Sequence, residues 1–163
     1  MAVREIRLFG DPVLKTECKK IAEITTDVKA HAQDLLDTVT LEGRAGVASN
    51  QIGHTLRAFS LNIDGETRVV LNPEIVSLDG EPVLMGEGCL SIPDLWFEVS
   101  RYPKATVKGM DVEGRPLIIK GEGLLAQALQ HECDHLDGKL YIDRLDRQLR
   151  GDALKQIRSS SWF

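Results

Sequence analysis

At 163 residues, with 42% hydrophobic and 28% charged side chains, the chain has the size and composition of one globular domain with a substantial core. A net charge of −5 argues against broad nucleic-acid or membrane-surface binding, and no stretch approaches the ~20 apolar residues of a membrane span. Three cysteines, Cys18, Cys89 and Cys133, make no disulfide framework and suit a reducing compartment. Arg4, Glu5, Arg7 and Asp11 leave no apolar run near the start, so no secretory leader is expected, and the expected location is the cytosol.

Val28, Ala32, Leu35, Leu36 and Val39 recur at helical spacing and predict a first helix, capped by Thr26, running to about Leu41 with Gly43 beyond it. Residues 43–53 are small and mostly uncharged, a segment whose backbone can approach something closely. Arg57 to Asn62 and Thr67 to Leu71 flank Asp64-Gly65 and predict a hairpin; Glu74 to Leu78 predicts a further strand. Pro93 is expected to limit any regular strand after Cys89. Ala105 to Lys120 predicts another hairpin, turning at Glu113-Gly114. A second helix should run from near Gly123 to Leu136 and stop at Gly138; its first half is apolar nearly all round, which marks a buried helix. After Tyr141 the chain is polar and basic-acidic, and residues 145–163 form a tail with a short surface helix, its Ser-Ser-Ser-Trp-Phe end either frayed or docked. The expected class is α+β, one domain over 1–163: small antiparallel sheets around a central buried helix, with an N-terminal helix and a short C-terminal segment.

Residues 131–135 read His-Glu-Cys-Asp-His, an H-E-x-x-H motif on that second helix. A turn of 3.6 residues puts His131 and His135 on one face, where two imidazoles can hold one metal ion. Glu132 stands beside them as a proton acceptor. A catalytic metal usually takes a third protein ligand. One protease pattern supplies a third His six residues after the second, but Tyr141 occupies that position here. His31 is expected to be an ordinary surface or edge residue, and His54 lies in a loop. Cys89, in Gly86-Glu87-Gly88-Cys89-Leu90-Ser91-Ile92-Pro93, is the better third ligand; Cys133 reads as core and Cys18 as structural or exposed. These residues alone leave a zinc endopeptidase and a structural metal module open beside a metal-dependent hydrolase.

Three segments together resemble the peptide deformylase family. Glu87-Gly88-Cys89-Leu90-Ser91 matches its E-G-C-L-S motif, and Gln130 to His135 matches its Q-H-E-x-D-H motif. Residues 44–51 follow its G-x-G-x-A-A-x-Q pattern with two departures, Arg44 for the first Gly and Ser49 for the second Ala; Gly46, Ala48 and Gln51 remain. Gly10 to Leu14 and Asp143-Arg144 also agree, so the resemblance covers about residues 5–145. It implies hydrolysis of the formyl group from the initiator methionine of nascent polypeptides, with release of formate. It implies one divalent metal on Cys89, His131 and His135, natively Fe(II), with zinc, nickel or cobalt as substitutes. Glu132 would be the base, and Gln51 and the Leu90 N–H would stabilise the oxyanion. Ala45, Gly46 and Gly88 would offer backbone to an extended peptide. The partners implied are formylmethionyl peptides and a transient ribosome contact, without sequence-specific nucleic-acid binding or a membrane. Gln127, one turn before His131, stands where the family tends to be apolar, which makes a more polar pocket wall.

Overall fold

The computed structural model describes residues 2–163. Helix α1 spans Thr26–Val39, α2 Leu124–Leu136 and α3 Arg147–Arg158. The strands are β1 Gly46–Ala48, β2 Ala58–Ile63, β3 Glu66–Asp79, β4 Val83–Cys89, β5 Ile92–Arg101, β6 Lys104–Met110 and β7 Pro116–Glu122. Five form one antiparallel sheet in the order β1-β2-β3-β6-β7, and β4 and β5 form a separate hairpin. The mixed helical and antiparallel-sheet class is the expected one. No described helix is long and apolar enough to cross a membrane.

The hairpin at Asp64-Gly65 closes with Ile63 opposite Glu66, and both turn residues adopt positive φ. The strand expected at Glu74 to Leu78 is not separate. It continues β3 through an irregular stretch at Asn72 (φ 50°) and Pro73, where the register shifts between Leu71 and Glu74. The first helix is capped one residue earlier than expected, by Thr25, whose hydroxyl accepts from the Val28 N–H, and it ends at Val39. Pro93 does not end its strand. In β5 the pairing jumps from Cys89–Ile92 to Glu87–Phe97, so Pro93 to Trp96 bulge out where no ladder N–H is needed.

Helix α2 packs on the large sheet through Ala126, Leu129, Cys133 and Leu136, all buried against Phe59, Val70, Val107 and Ile119. Each fully buried leucine there contributes roughly 1.5–3 kcal/mol. Gln130 ties the helix to the β5–β6 connection: its amide donates to the Tyr102 carbonyl and accepts from the Tyr102 N–H. The helix stops at Gly138, which has φ 74° and lies so close to the Lys15 carbonyl that an added Cβ would sit 2.6 Å from that oxygen. A second core holds α1 against β1 and β2, and a third holds α3 against β5. The C-terminal end is docked: the Trp162 indole donates to the Pro93 carbonyl at 3.1 Å, and the Phe163 ring lies 6.2 Å from that of Phe9.

Candidate metal centre

The H-E-x-x-H segment lies on α2, and the turn that ends β4 carries Cys89 to the same point. His131 Nε2 lies 3.1 Å from His135 Nε2, which lies 3.3 Å from Cys89 Sγ. Three donor atoms so placed can serve as one face of a coordination tetrahedron, whose N–N and N–S edges are about 3.3 and 3.6 Å for metal–ligand bonds of ordinary length. Among the described residues these are the one His/Cys/Asp/Glu group gathered this closely. Tyr141, where a third histidine would make the protease pattern, is buried and donates its hydroxyl to the Leu95 carbonyl.

Buried charge orients the two histidines. The Arg101 guanidinium grips Glu87 through Nε at 2.9 Å and Nη2 at 2.6 Å, and reaches Asp134 through Nη1 at 2.8 Å. Arg144 adds two bonds to Asp134. Burial works against the Glu87 carboxylate, but Arg101 and His131 hold its pKa down at about 2. An ionised carboxylate only accepts, so the 2.7 Å contact with His131 Nδ1 puts a ring proton on Nδ1 and turns Nε2 toward the centre. Burial alone would lower the His131 pKa, yet the neighbouring Cys89 and Glu87 raise it well above the ordinary value. Burial and the adjacent His131 push His135 well below it. Sequence reading missed this network. Glu87 and Asp134 lie inside recognised motifs, but Arg101 joins them only because β5 returns it opposite Val83.

Glu132 is buried, and its Oε2 has no hydrogen-bond partner. Burial raises its pKa to about 7. Such a carboxyl exchanges protons near neutrality. Gly46 makes room for it: a Cβ there would fall 2.5 Å from Glu132 Oε1. Gln51 is fixed at one end, its Oε1 accepting from the Ala48 N–H at 3.0 Å, while Nε2 points to Ser91 Oγ at 3.2 Å and Cys89 Sγ at 3.7 Å. No loop or turn hydrogen bond among the described residues uses the Leu90 N–H.

A cleft of about 550 Å³ opens from this centre, lined by Ala45, Gly46, Gln51, Gly88, Leu90, His131 and Glu132 among others. Its two flanks are β1, the edge of the large sheet, and the β4–β5 hairpin. The Trp96 indole packs on Gly88, where an added Cβ would lie 3.0 Å from the ring and push it aside by a few tenths of an ångström. The two departures in residues 44–51 turn away from the cleft. Arg44 donates to the Thr38 carbonyl at the end of α1, and the Ser49 hydroxyl lies between His31 and the Ala58 carbonyl. Gln127 does line the cleft. His31, expected at the surface, is buried at 4% exposure behind Ser49, whereas His54 is exposed. Cys18 and Cys133 are buried in the core.

Residues 3–150 match the family model described as polypeptide deformylase. A peptide deformylase of Acidothermus cellulolyticus is 42% identical over 162 residues, covering 99% of this chain and 89% of that one. Peptide deformylase 1 of Corynebacterium glutamicum is 40% identical over 167 residues, covering 100% and 99%. The crystal structure of a peptide deformylase from Legionella pneumophila superposes with a TM-score of 0.89 at 38% identity, covering 96% and 94%.

Proposed function

The chain belongs to the polypeptide deformylase family, metal-dependent hydrolases that remove the formyl group from nascent peptides, and on that premise we propose how its residues divide the work. Cys89, His131 and His135 hold the divalent metal, and the native ion is Fe(II); zinc, nickel or cobalt can replace it. The observation that carries this is the convergence of their sulfur and two Nε2 atoms beside an unpartnered buried carboxyl oxygen of Glu132. When bound, the metal supplies a Lewis acid that polarises the formyl oxygen and acidifies water.

The other steps belong to side chains and backbone. Glu132 takes a proton from the attacking water and returns it to the departing amine, so formate and a free amino terminus result. Gln51 Nε2 and the Leu90 N–H donate to the oxygen that gains charge, each such donor being worth about 3 kcal/mol. The substrate lies extended between β1 and β4, reading the backbone of Ala45, Gly46 and Gly88 as an added strand; main-chain recognition tolerates many downstream sequences. The chain works as one cytoplasmic domain, and basic residues of α3 (Arg147, Lys155, Arg158) make a transient ribosome contact.

The test is formate release from formyl-Met-Ala-Ser by protein purified without oxygen, with metal analysis of the same sample. Stoichiometric iron, and activity lost in air as metal and thiolate oxidise, is the expected result. Full activity with zinc in the anaerobic sample would overturn the iron assignment, and a Cys89→Ser protein with full metal content would overturn the ligand set.

A further inference from the structure

The helix face that carries His131 continues toward the start of α2 through Gln127 and Leu124, both in the wall of the cleft. At 1.5 Å per residue these lie about 6 and 10 Å along the axis from His131. An unbranched side chain of four heavy atoms reaches about 5 Å from its Cα. A substrate whose formyl group sits beside Glu132, and whose first side chain runs along this wall toward the start of α2, brings the tip of that side chain to Gln127.

Gln127 differs from its apolar neighbours Leu124 and Ala128. Its amide nitrogen donates to the Gly86 carbonyl at 2.9 Å and to Glu87 Oε1 at 3.3 Å. Both partners only accept, so the amide cannot be turned over without losing both bonds. That fixes the position of its oxygen. No described residue donates to this oxygen, and it is not among the side-chain atoms sealed from solvent. The cleft wall thus presents a rigid hydrogen-bond acceptor one helical turn from the metal ligands.

We propose that Gln127 is a specificity determinant, its amide oxygen accepting a hydrogen bond from the first side chain of the substrate. Formyl peptides whose first side chain ends in a donor, such as a hydroxyl, then become substrates alongside methionine. This rests on the deformylase reading. An apolar pocket discriminates against an added hydroxyl by about a hundredfold; one well-placed acceptor offsets about tenfold of that.

The experiment measures kcat/KM of the metal-loaded protein for three formyl-Xaa-Ala-Ser peptides, by formate release. Xaa is norleucine, 5-hydroxynorvaline or O-methylhomoserine, which share one length. The second ends in a hydroxyl donor; the third has an oxygen but no proton to give. The native protein should turn over the alcohol within about tenfold of norleucine. In Gln127→Leu the alcohol should fall about tenfold relative to norleucine, while the ether-to-norleucine ratio holds. A merely structural role would lower all three together. An unchanged alcohol-to-norleucine ratio in the variant overturns the proposal, as does a native protein that turns over the alcohol about a hundredfold or more slower than norleucine, a comparison that needs no variant. Formate from norleucine with the alcohol about a hundredfold slower sinks this inference alone. No formate from any of the three sinks the deformylase reading and this inference with it.

Discussion

Gly46→Ala tests the position of Glu132 without touching any metal ligand. Gly46 has no positive φ, so alanine strains no backbone. Its Cβ, however, would lie 2.5 Å from Glu132 Oε1, 2.9 Å from Cδ and 3.0 Å from Cγ. Ordinary contacts between such atoms start near 3.5 Å, so the carboxylate must shift by about 1 Å. Misplacing a reacting group by that distance costs on the order of a hundredfold in rate. The assay is kcat for formate release, with metal content and thermal midpoint on the same sample. We expect kcat to fall about a hundredfold with the metal retained. The midpoint should fall by a few degrees at most, because the ~0.4–1 kcal/mol gained from a stiffer unfolded chain only partly offsets the ~1–3 kcal/mol of overpacking. Adding Gly46→Ala to a Glu132→Gln protein should cost far less than adding it to the native one. A Gly46→Ala enzyme with kcat within threefold of native would refute the steric reasoning and the role of Glu132 with it.

Gln51→Leu should lower kcat about a hundredfold with little change in KM, and a variant with native kcat would remove Gln51 from the oxyanion site. Arg101→Leu leaves Glu87 and Asp134 buried without their shared cation, at 3% exposure for the lost side chain; denaturant unfolding should show a loss of about 3–5 kcal/mol, and a loss below 1 kcal/mol would contradict the network. His31 has its pKa lowered to about 4, by burial first and by His54 second, with Arg4 adding to this and Asp34 opposing it. The unfolded histidine takes up a proton near pH 6.5 and the folded one only near pH 4, so the unfolded state binds more protons in that window. Stability from this group is therefore full above pH 6.5 and lost as pH falls toward 4, by on the order of 3 kcal/mol. His31→Gln should flatten that stretch of the stability–pH curve, and an unchanged slope would count against it.

The helices and the two hairpins at Asp64-Gly65 and Glu113-Gly114 were legible because periodicity and turn chemistry are local signals. The β4–β5 hairpin was not. Its strands carry Gly86, Gly88 and Pro93, residues that read as breakers, and their tolerance depends on a bulge that only the pairing register creates. The same holds for the site. His131, Glu132 and His135 are fixed by one helical turn, and Cys89 by its motif. Arg101 carries no such signal, since nothing within the sequence near it announces that it will meet Glu87 and Asp134 in the interior. His31 misled for the opposite reason: a polar residue on a helix is usually exposed, but here Ser49 supplies it a buried partner at 2.7 Å.

The most direct measurement compares formate release and bound metal in native and Glu132→Ala proteins, using formyl-Met-Ala-Ser. Glu132→Ala should keep its metal, because Cys89, His131 and His135 are unaltered, and should lose formate release by about a thousandfold or more, within the range a positioned base contributes. A Glu132→Ala protein that holds the metal and releases formate at the native rate would contradict the assignment of Glu132 as the proton carrier.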